Sequence, residues 1–196
     1  VTGVQTCALP ILEQGKDWAQ FPDYRRMFEH QKLDAVFVET PTHARARIVM
    51  QAMEAGLDVY AEKPATLTVA EGQALVKSAR HYKRVVQVGT QQRSMPINMY
   101  ASKLVADGKI GKVQKVIVCN FLAPARWEPK EAEPLPEGLN WDEWCNQTEL
   151  RPYHSDLHRS WMKWRDFDGG GQSWGVSGWG THSLDQVQRS EEHTSE

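Results

Sequence analysis

The sequence predicts an α/β fold built on a parallel sheet, and three observations carry that prediction. Apolar runs of strand length recur at "DAVFVE", "LDVYAE" and "RVVQVGT". Segments with helical spacing separate them. The connections between are short. Strand, helix, strand, helix, strand in that arrangement describes βαβ units, whose strands lie parallel.

Taken in order, Phe21 to Gln31 reads as a short helix with Pro22 near its start. Asp34 to Glu39 is a continuous apolar run, the kind that a parallel sheet buries on both faces. Thr40-Pro41 stops it. From His43 to Ala55, Ile48, Ala52 and Ala55 recur at i, i+4 and i+7, the stripe of an amphipathic helix, and Gly56 suits the position just past its end. The second strand follows. Thr68 and Glu71 then form a capping-box pattern before a helix that reaches about His81. After the third strand, Asn98 to Asp107 predicts a helix closed by Gly108, and Val113 to Phe121 alternates like a strand. Ala123 to Ser160 is rich in Pro, Trp and charge, too long for a structureless loop, and is expected to pack over a site or a partner. "DGGGQSWGVSGWGTHSLDQVQ" reads as a glycine-rich turn leading into a helix near His182.

The two ends stand apart. A DNA segment encoding "RSEEHTSE" at 189–196, read on its opposite strand in a shifted frame, encodes "VQTCALPI" at 4–11. Both ends are therefore expected to be derived from a sequencing adapter, and residues 1–11 and 189–196 are set aside. Without Arg189 and the three glutamates at 191, 192 and 196, the remaining stretch carries 22 basic and 22 acidic residues. That balance supports neither nucleic-acid nor membrane binding. No run of apolar residues is long enough to span a bilayer. The cysteine spacing fits neither a disulfide framework nor a zinc ribbon. The compartment stays open, with the cytoplasm as default.

Ligands of open parallel sheets bind outside the carboxyl ends of the strands. Those ends here are Thr40-Pro41-Thr42-His43, Glu62-Lys63-Pro64 and Gly89-Thr90-Gln91-Gln92-Arg93, three polar clusters converging on one edge. Lys63 sits between a strand end and a proline. A partly desolvated lysine there serves as a general acid or base, and an ordinary solvated lysine fits the pattern equally. His182, with Asp185 three residues on, is either a proton carrier at the first turn of a helix or a histidine that only caps and packs. His154 and His158 have a zinc-compatible spacing but no evident third ligand, so no metal site is assigned. The cluster of Trp161, Trp164, Trp174 and Trp179 reads first as core.

Taken together, "DAVFVETPTHARARIVMQAMEAGLDVYAEKPATLTVAEGQALVKSARHYKRVVQVGTQQRSMP" is similar to the Gfo/Idh/MocA oxidoreductases, the family of glucose–fructose oxidoreductase and inositol dehydrogenase. "GKIGKVQKVIV", "PEGLNWDEW", "RPYHSDLHR" and "GGGQSWGVSGWGTHSLDQVQ" continue the likeness. The resemblance implies a Rossmann domain for NAD or NADP over 12–95, lacking its first strand and glycine loop. It also implies part of an α/β substrate and oligomerisation domain with an open sheet over 96–188. Hydride would pass between the nicotinamide and a hydroxyl-bearing carbon of a sugar or polyol. Lys63 and His182 would be the catalytic pair. Thr40, Pro41, His43, Glu62, Lys63, Pro64, Gln91 and Arg93 would line the cofactor. Arg151, Tyr153, His154, Trp179 and Asp185 would join the catalytic pair around the substrate. The intact protein would be a homo-oligomer. Two departures stand out: Gly178 occupies the position where the family often has an aspartate four residues before the histidine, and Arg45 replaces a histidine. An NAD-dependent glycoside hydrolase on the same scaffold, and a non-catalytic sugar or cofactor binder, are the alternatives.

Overall fold

A computed structural model describes residues 19–119, 123–168 and 175–191 of the chain. The glycine run at 169–171, Trp174 and the last two residues of the expected strand at 120–121 lie outside the described residues. Helix α1 (Tyr24–His30) begins one residue after Asp23, whose carboxylate accepts from the Arg25 amide at 2.9 Å. Pro22 therefore precedes the helix cap instead of starting the helix. Strand β1 (Ala35–Val38), helix α2 (Thr42–Glu54), strand β2 (Asp58–Ala61), helix α3 (Val69–Tyr82) and strand β3 (Val86–Val88) follow. Both strand pairs are parallel, in the order β1-β2-β3.

Local chemistry fixes the joints. Thr68 accepts from the Glu71 amide at 3.2 Å while the Glu71 carboxylate accepts from the Thr68 amide at 2.9 Å, so the expected capping box forms. Gly56 has φ of 86°, a left-handed conformation that ends α2 at little cost for a residue without Cβ.

The core lies on one face of the sheet. Val36 and Val38 of β1 pair in register with Val59 and Ala61 of β2. These four pack with Ile48, Val49, Ala52 and Met53 of α2 and Leu75 of α3. The opposite face is open among the described residues, and Phe37 is 75% exposed. Burial of β1 on both faces, expected from its apolar run, is thus not observed. Every described helix that contributes to this core lies on the Val36 face, so only alternate β1 side chains are covered.

Beyond β3 the chain makes a 3₁₀ turn (Gln91–Ser94) and helix α4 (Pro96–Ala106). The strand expected at Val113 to Phe121 does not form over its described part, 113–119. Among the described residues nothing pairs with it, and alternation alone does not make a strand without a neighbour to accept its hydrogen bonds. Ile117 is 71% exposed. From Trp141 onward the Trp-rich segment is largely helical. It forms helices α5 (Trp141–Cys145), α6 (Ser155–Arg159) and α7 (Arg165–Asp168), which close a second core of Trp141, Trp144, Cys145, Tyr153, Leu157, Trp164 and Phe167. The Trp141 and Trp144 rings stack with centroids 4.6 Å apart. A π turn (Val176–Gly180) leads into helix α8 (Thr181–Glu191).

The first turn of α2 binds these parts together. His43 is fully buried; its Nε2–H donates to the Trp144 carbonyl at 2.8 Å, and its ring meets Phe167 edge-on at 4.8 Å. Arg45, two residues on, is 3% exposed and forks between the two strand-end loops, donating to the carbonyls of Thr40 and Pro64. Burial pushes its pKa down to about 10, and Glu62, Asp168 and Glu39 act against that loss.

Two predictions follow from this turn. Burial pushes the His43 pKa from 6.5 down to about 4. The folded state therefore binds fewer protons than the unfolded chain between those values, and stability that is complete above pH 6.5 is lost as pH falls toward 4. The loss is about 3 kcal/mol. Thermal melts from pH 7.5 to 5 will show the midpoint falling in the wild type and a shallower fall in His43→Gln; parallel slopes would refute it. Lysine at position 45 keeps the charge but not the fork, so Arg45→Lys will lose about 2 kcal/mol in urea unfolding. An unchanged midpoint would remove Arg45 from this role.

Candidate functional site at the carboxyl edge of the sheet

The parallel register continues past the strands. The Glu62 amide donates to the Val38 carbonyl at 3.0 Å, and the Gly89 amide donates to the Ala61 carbonyl at 2.8 Å. Thr40, Glu62 and Gly89 are thereby held at one edge of the sheet. The Lys63-Pro64 peptide is cis, and the Arg45 fork grips its proline carbonyl. Gly89 allows the close approach at this edge: a Cβ there would sit 3.1 Å from both Glu62 Oε2 and Tyr60 Oη.

Helix α8 is brought to the same edge. Arg93 Nε donates to Asp185 Oδ2 at 2.9 Å, tying the 3₁₀ turn after β3 to α8. Lys63 Nζ donates to the Gly178 carbonyl at 3.4 Å. The backbone leaves helical geometry at Gly178 (φ −74°, ψ −106°), within the turn that starts α8. His182 is the second residue of that helix and is 6% exposed, and its Nδ1 has no hydrogen-bond partner among the described residues. Burial lowers its pKa, the Lys63 charge lowers it further, and Glu62 and Asp185 oppose the shift. A neutral imidazole with an unused nitrogen beside an ammonium group is a proton acceptor with a cation at hand. Trp179, 42% exposed, lies with its ring 5.5 Å from the imidazole and forms a half-open aromatic wall. The Thr40 hydroxyl is buried and also lacks a partner among the described residues.

Of the residues singled out in the sequence, Thr40, Pro41, Glu62, Lys63, Pro64, Gln91 and Arg93 lie at this edge, together with Trp179, His182 and Asp185 on the π turn and α8. Gln91 is exposed there. Four others are placed elsewhere. His43 points into the aromatic core, because its neighbours on α2 take the directions toward the edge. Arg151 pairs with Asp166 at 2.6 Å and Glu149 at 3.1 Å. Tyr153 is buried edge-on against Trp141. His154 caps α6: its Nδ1 accepts from the Asp156 amide at 3.1 Å, while Nε2 lies 3.3 Å from Glu133. These groups are used in building the Trp-rich segment. His158 turns onto the Trp144 ring at 5.2 Å, so it does not combine with His154. Among the described residues no group of three or more His, Cys, Asp or Glu is placed to hold a metal ion. No described helix is long and apolar enough to cross a membrane.

Sequence reasoning missed Asp168. It ends α7, is 5% exposed, and accepts from Thr42 Oγ1 at 2.9 Å and from the Ser177 hydroxyl. Burial raises its pKa; the two hydroxyls and the charges of Lys63 and Arg45 work against that rise. Nothing in its local pattern marks it, since the contacts that define it come from residues distant in the chain.

Comparison with known proteins places this geometry. Residues 9–90 match the model of the oxidoreductase family with an NAD-binding Rossmann fold, GFO_IDH_MocA. Over 95 residues the chain is 30% identical to scyllo-inositol 2-dehydrogenase (NAD(+)) of Bacillus subtilis, covering 48% of this chain and 27% of that protein. Over 101 residues it is 31% identical to D-xylose 1-dehydrogenase (NADP(+)) of Hypocrea jecorina, covering 52% of this chain and 26% of that protein. The chain thus spans about a quarter of the length of these relatives. The crystal structure of an NAD-binding protein from Listeria innocua superposes with a TM-score of 0.57 at 21% identity, covering 90% of this chain and 40% of that one, which is a likeness of fold. Residues 9–90, which include the described strands and their carboxyl edge, are thus similar to the oxidoreductase family with an NAD-binding Rossmann fold.

Proposed function

We propose that the intact protein is an NAD(P)-dependent oxidoreductase that moves hydride between the nicotinamide and a hydroxyl-bearing carbon of a sugar or polyol. One observation carries this reading: a buried imidazole, whose Nδ1 has no partner among the described residues, stands under the Lys63 charge at the carboxyl edge of a parallel sheet. The edge fits the nicotinamide end of the cofactor, for it offers the Thr40 hydroxyl, which has no partner among the described residues, and half-buried Pro41, Glu62 and Pro64. Thr40, Pro41, Glu62, Pro64, Gln91 and Arg93 would line it. The bound nicotinamide supplies the hydride acceptor.

This chain's residues supply the proton chemistry. His182, neutral near pH 7, takes the proton of the substrate hydroxyl. Burial and, after it, the Lys63 charge keep the imidazole from protonating beforehand, and Lys63 stabilises the negative charge that grows on the substrate oxygen. Trp179 gives the sugar ring an apolar face to lie against. The relatives' names support a hydroxylated carbon as the reacting centre, since one is an inositol dehydrogenase and the other a xylose dehydrogenase. Residues 96–188 would contribute the substrate side and the contacts between subunits.

In the full-length protein, Lys63→Met will lower turnover on inositols or aldoses by about a hundredfold or more, with cofactor affinity nearly unchanged. Appearance of the reduced-cofactor absorbance is the assay; near-wild-type turnover would remove Lys63, and sugar release without net reduced cofactor would indicate a hydrolase. Because the His182 pKa is lowered, kcat/KM will climb with pH through an apparent pKa below 6.5 and stay level above it. A midpoint above 7 in the pH–rate profile would show that another group carries the proton.

A further inference from the structure

Asp168 belongs to no strand end and to no part of the edge described by family likeness, yet it is the most deeply buried carboxylate near the site. Its two oxygens are divided between two elements. One accepts from Thr42, the first residue of α2, at 2.9 Å; the other accepts from the hydroxyl of Ser177. Ser177 is 7% exposed and directly precedes Gly178. Gly178 in turn presents the carbonyl that receives Lys63 at 3.4 Å. The next residues are Trp179 and, after one turn, His182. A single carboxylate therefore staples the turn that opens α8 to the helix that opens at the β1 edge.

We propose that Asp168 is the positioning residue of this site: by bridging Thr42 and Ser177 it fixes the turn that hands the Gly178 carbonyl to Lys63 and sets His182 within reach of the lysine charge. The role rests on the reading of Lys63 and His182 as the working pair. A glycine at 178 has no side chain with which to hold the lysine, so the backbone carbonyl does it, and a carbonyl is only as well placed as its turn. Hydrogen bonds to an ionised acceptor are the strong kind, suited to holding such a turn. Burial raises the Asp168 pKa, and the two donated hydroxyl bonds and the charges of Lys63 and Arg45 oppose that rise, so the same contacts that hold the turn support the ionised form.

The test reads the imidazole of His182 by NMR in ¹³C-histidine-labelled protein, without cofactor, in wild type and in Ser177→Ala, Asp168→Ala and Asp168→Asn. The charged groups acting on that imidazole are Lys63 and Glu62 from the β2 edge and Asp185 from its own helix. Ser177→Ala and Asp168→Ala release the turn, let water in and withdraw Lys63, so the His182 pKa rises by roughly half a unit or more. Asp168→Asn, whose amide can accept from Thr42 and donate to Ser177, restores most of the wild-type value. Should Asp168→Ala fail to fold, Ser177→Ala decides alone. A His182 titration unchanged in Ser177→Ala would overturn the proposal, as would an Asp168→Asn variant shifted as far as Asp168→Ala. Loss of stability alone would not move this titration. Because the measurement needs neither cofactor nor turnover, it also separates from the dehydrogenase reading: an inactive protein with the expected His182 shifts keeps the staple and discards the reaction.

Discussion

The buried guanidinium of Arg45 is the constraint on which the rest of the edge depends. Taking a cation out of water is expensive unless its donors are met. Here the fork is met by two backbone carbonyls that belong to different loops, one after β1 and one after β2. The geometry of a guanidinium makes that pairing directional, so the two loops are fixed relative to each other and not merely drawn together. Lys63 sits directly before the gripped proline. Its position is therefore inherited from a residue that is itself buried. The negative groups that offset the buried charge, Glu62 first and then Asp168, also belong to the site's surroundings, so the charge balance of the fold and that of the edge are one system.

Much of this was legible in the sequence where the information is local. The strand positions, the Thr68–Glu71 capping box and the glycine at 56 report on a few consecutive residues and appear in the structure, though each strand is shorter than its apolar run. The convergence of the three strand ends also follows from topology alone, because a parallel sheet has all its carboxyl ends on one side. What was not legible is direction within the first turn of α2. Thr42, His43 and Arg45 lie close together in sequence, but a helix turns about 100° per residue. One therefore meets Asp168, the next meets Trp144 and the last meets the strand ends. Grouping His43 with the edge treated a helix turn as though it were a strand end.

The same distinction explains the remaining differences. Helices of four or five residues, such as those of the Trp-rich segment, are too short to show a period, so their packing has no signature in the pattern. The alternation at 113–119 has a signature but, among the described residues, no partner. Asp168 is the extreme case: its hydroxyl donors come from 126 residues earlier and nine residues later. Only tertiary structure makes that carboxylate distinctive.

The charges around His182 show why a carbonyl at position 178 suits this edge. A carboxylate there, close to the imidazole, would draw a proton onto it and raise its pKa. A carbonyl holds Lys63 without adding a full negative charge, so Glu62 and Asp185, and no further carboxylate at 178, oppose the effect of the lysine on the histidine. The anion is instead set back behind Ser177, where it orders the turn and where no effect of its charge on His182 is resolved. Holding the lysine and balancing its charge, which one carboxylate could do together, are divided here between a backbone atom and Asp168. That division favours a neutral imidazole, in line with the lowered His182 pKa that burial and the Lys63 charge produce.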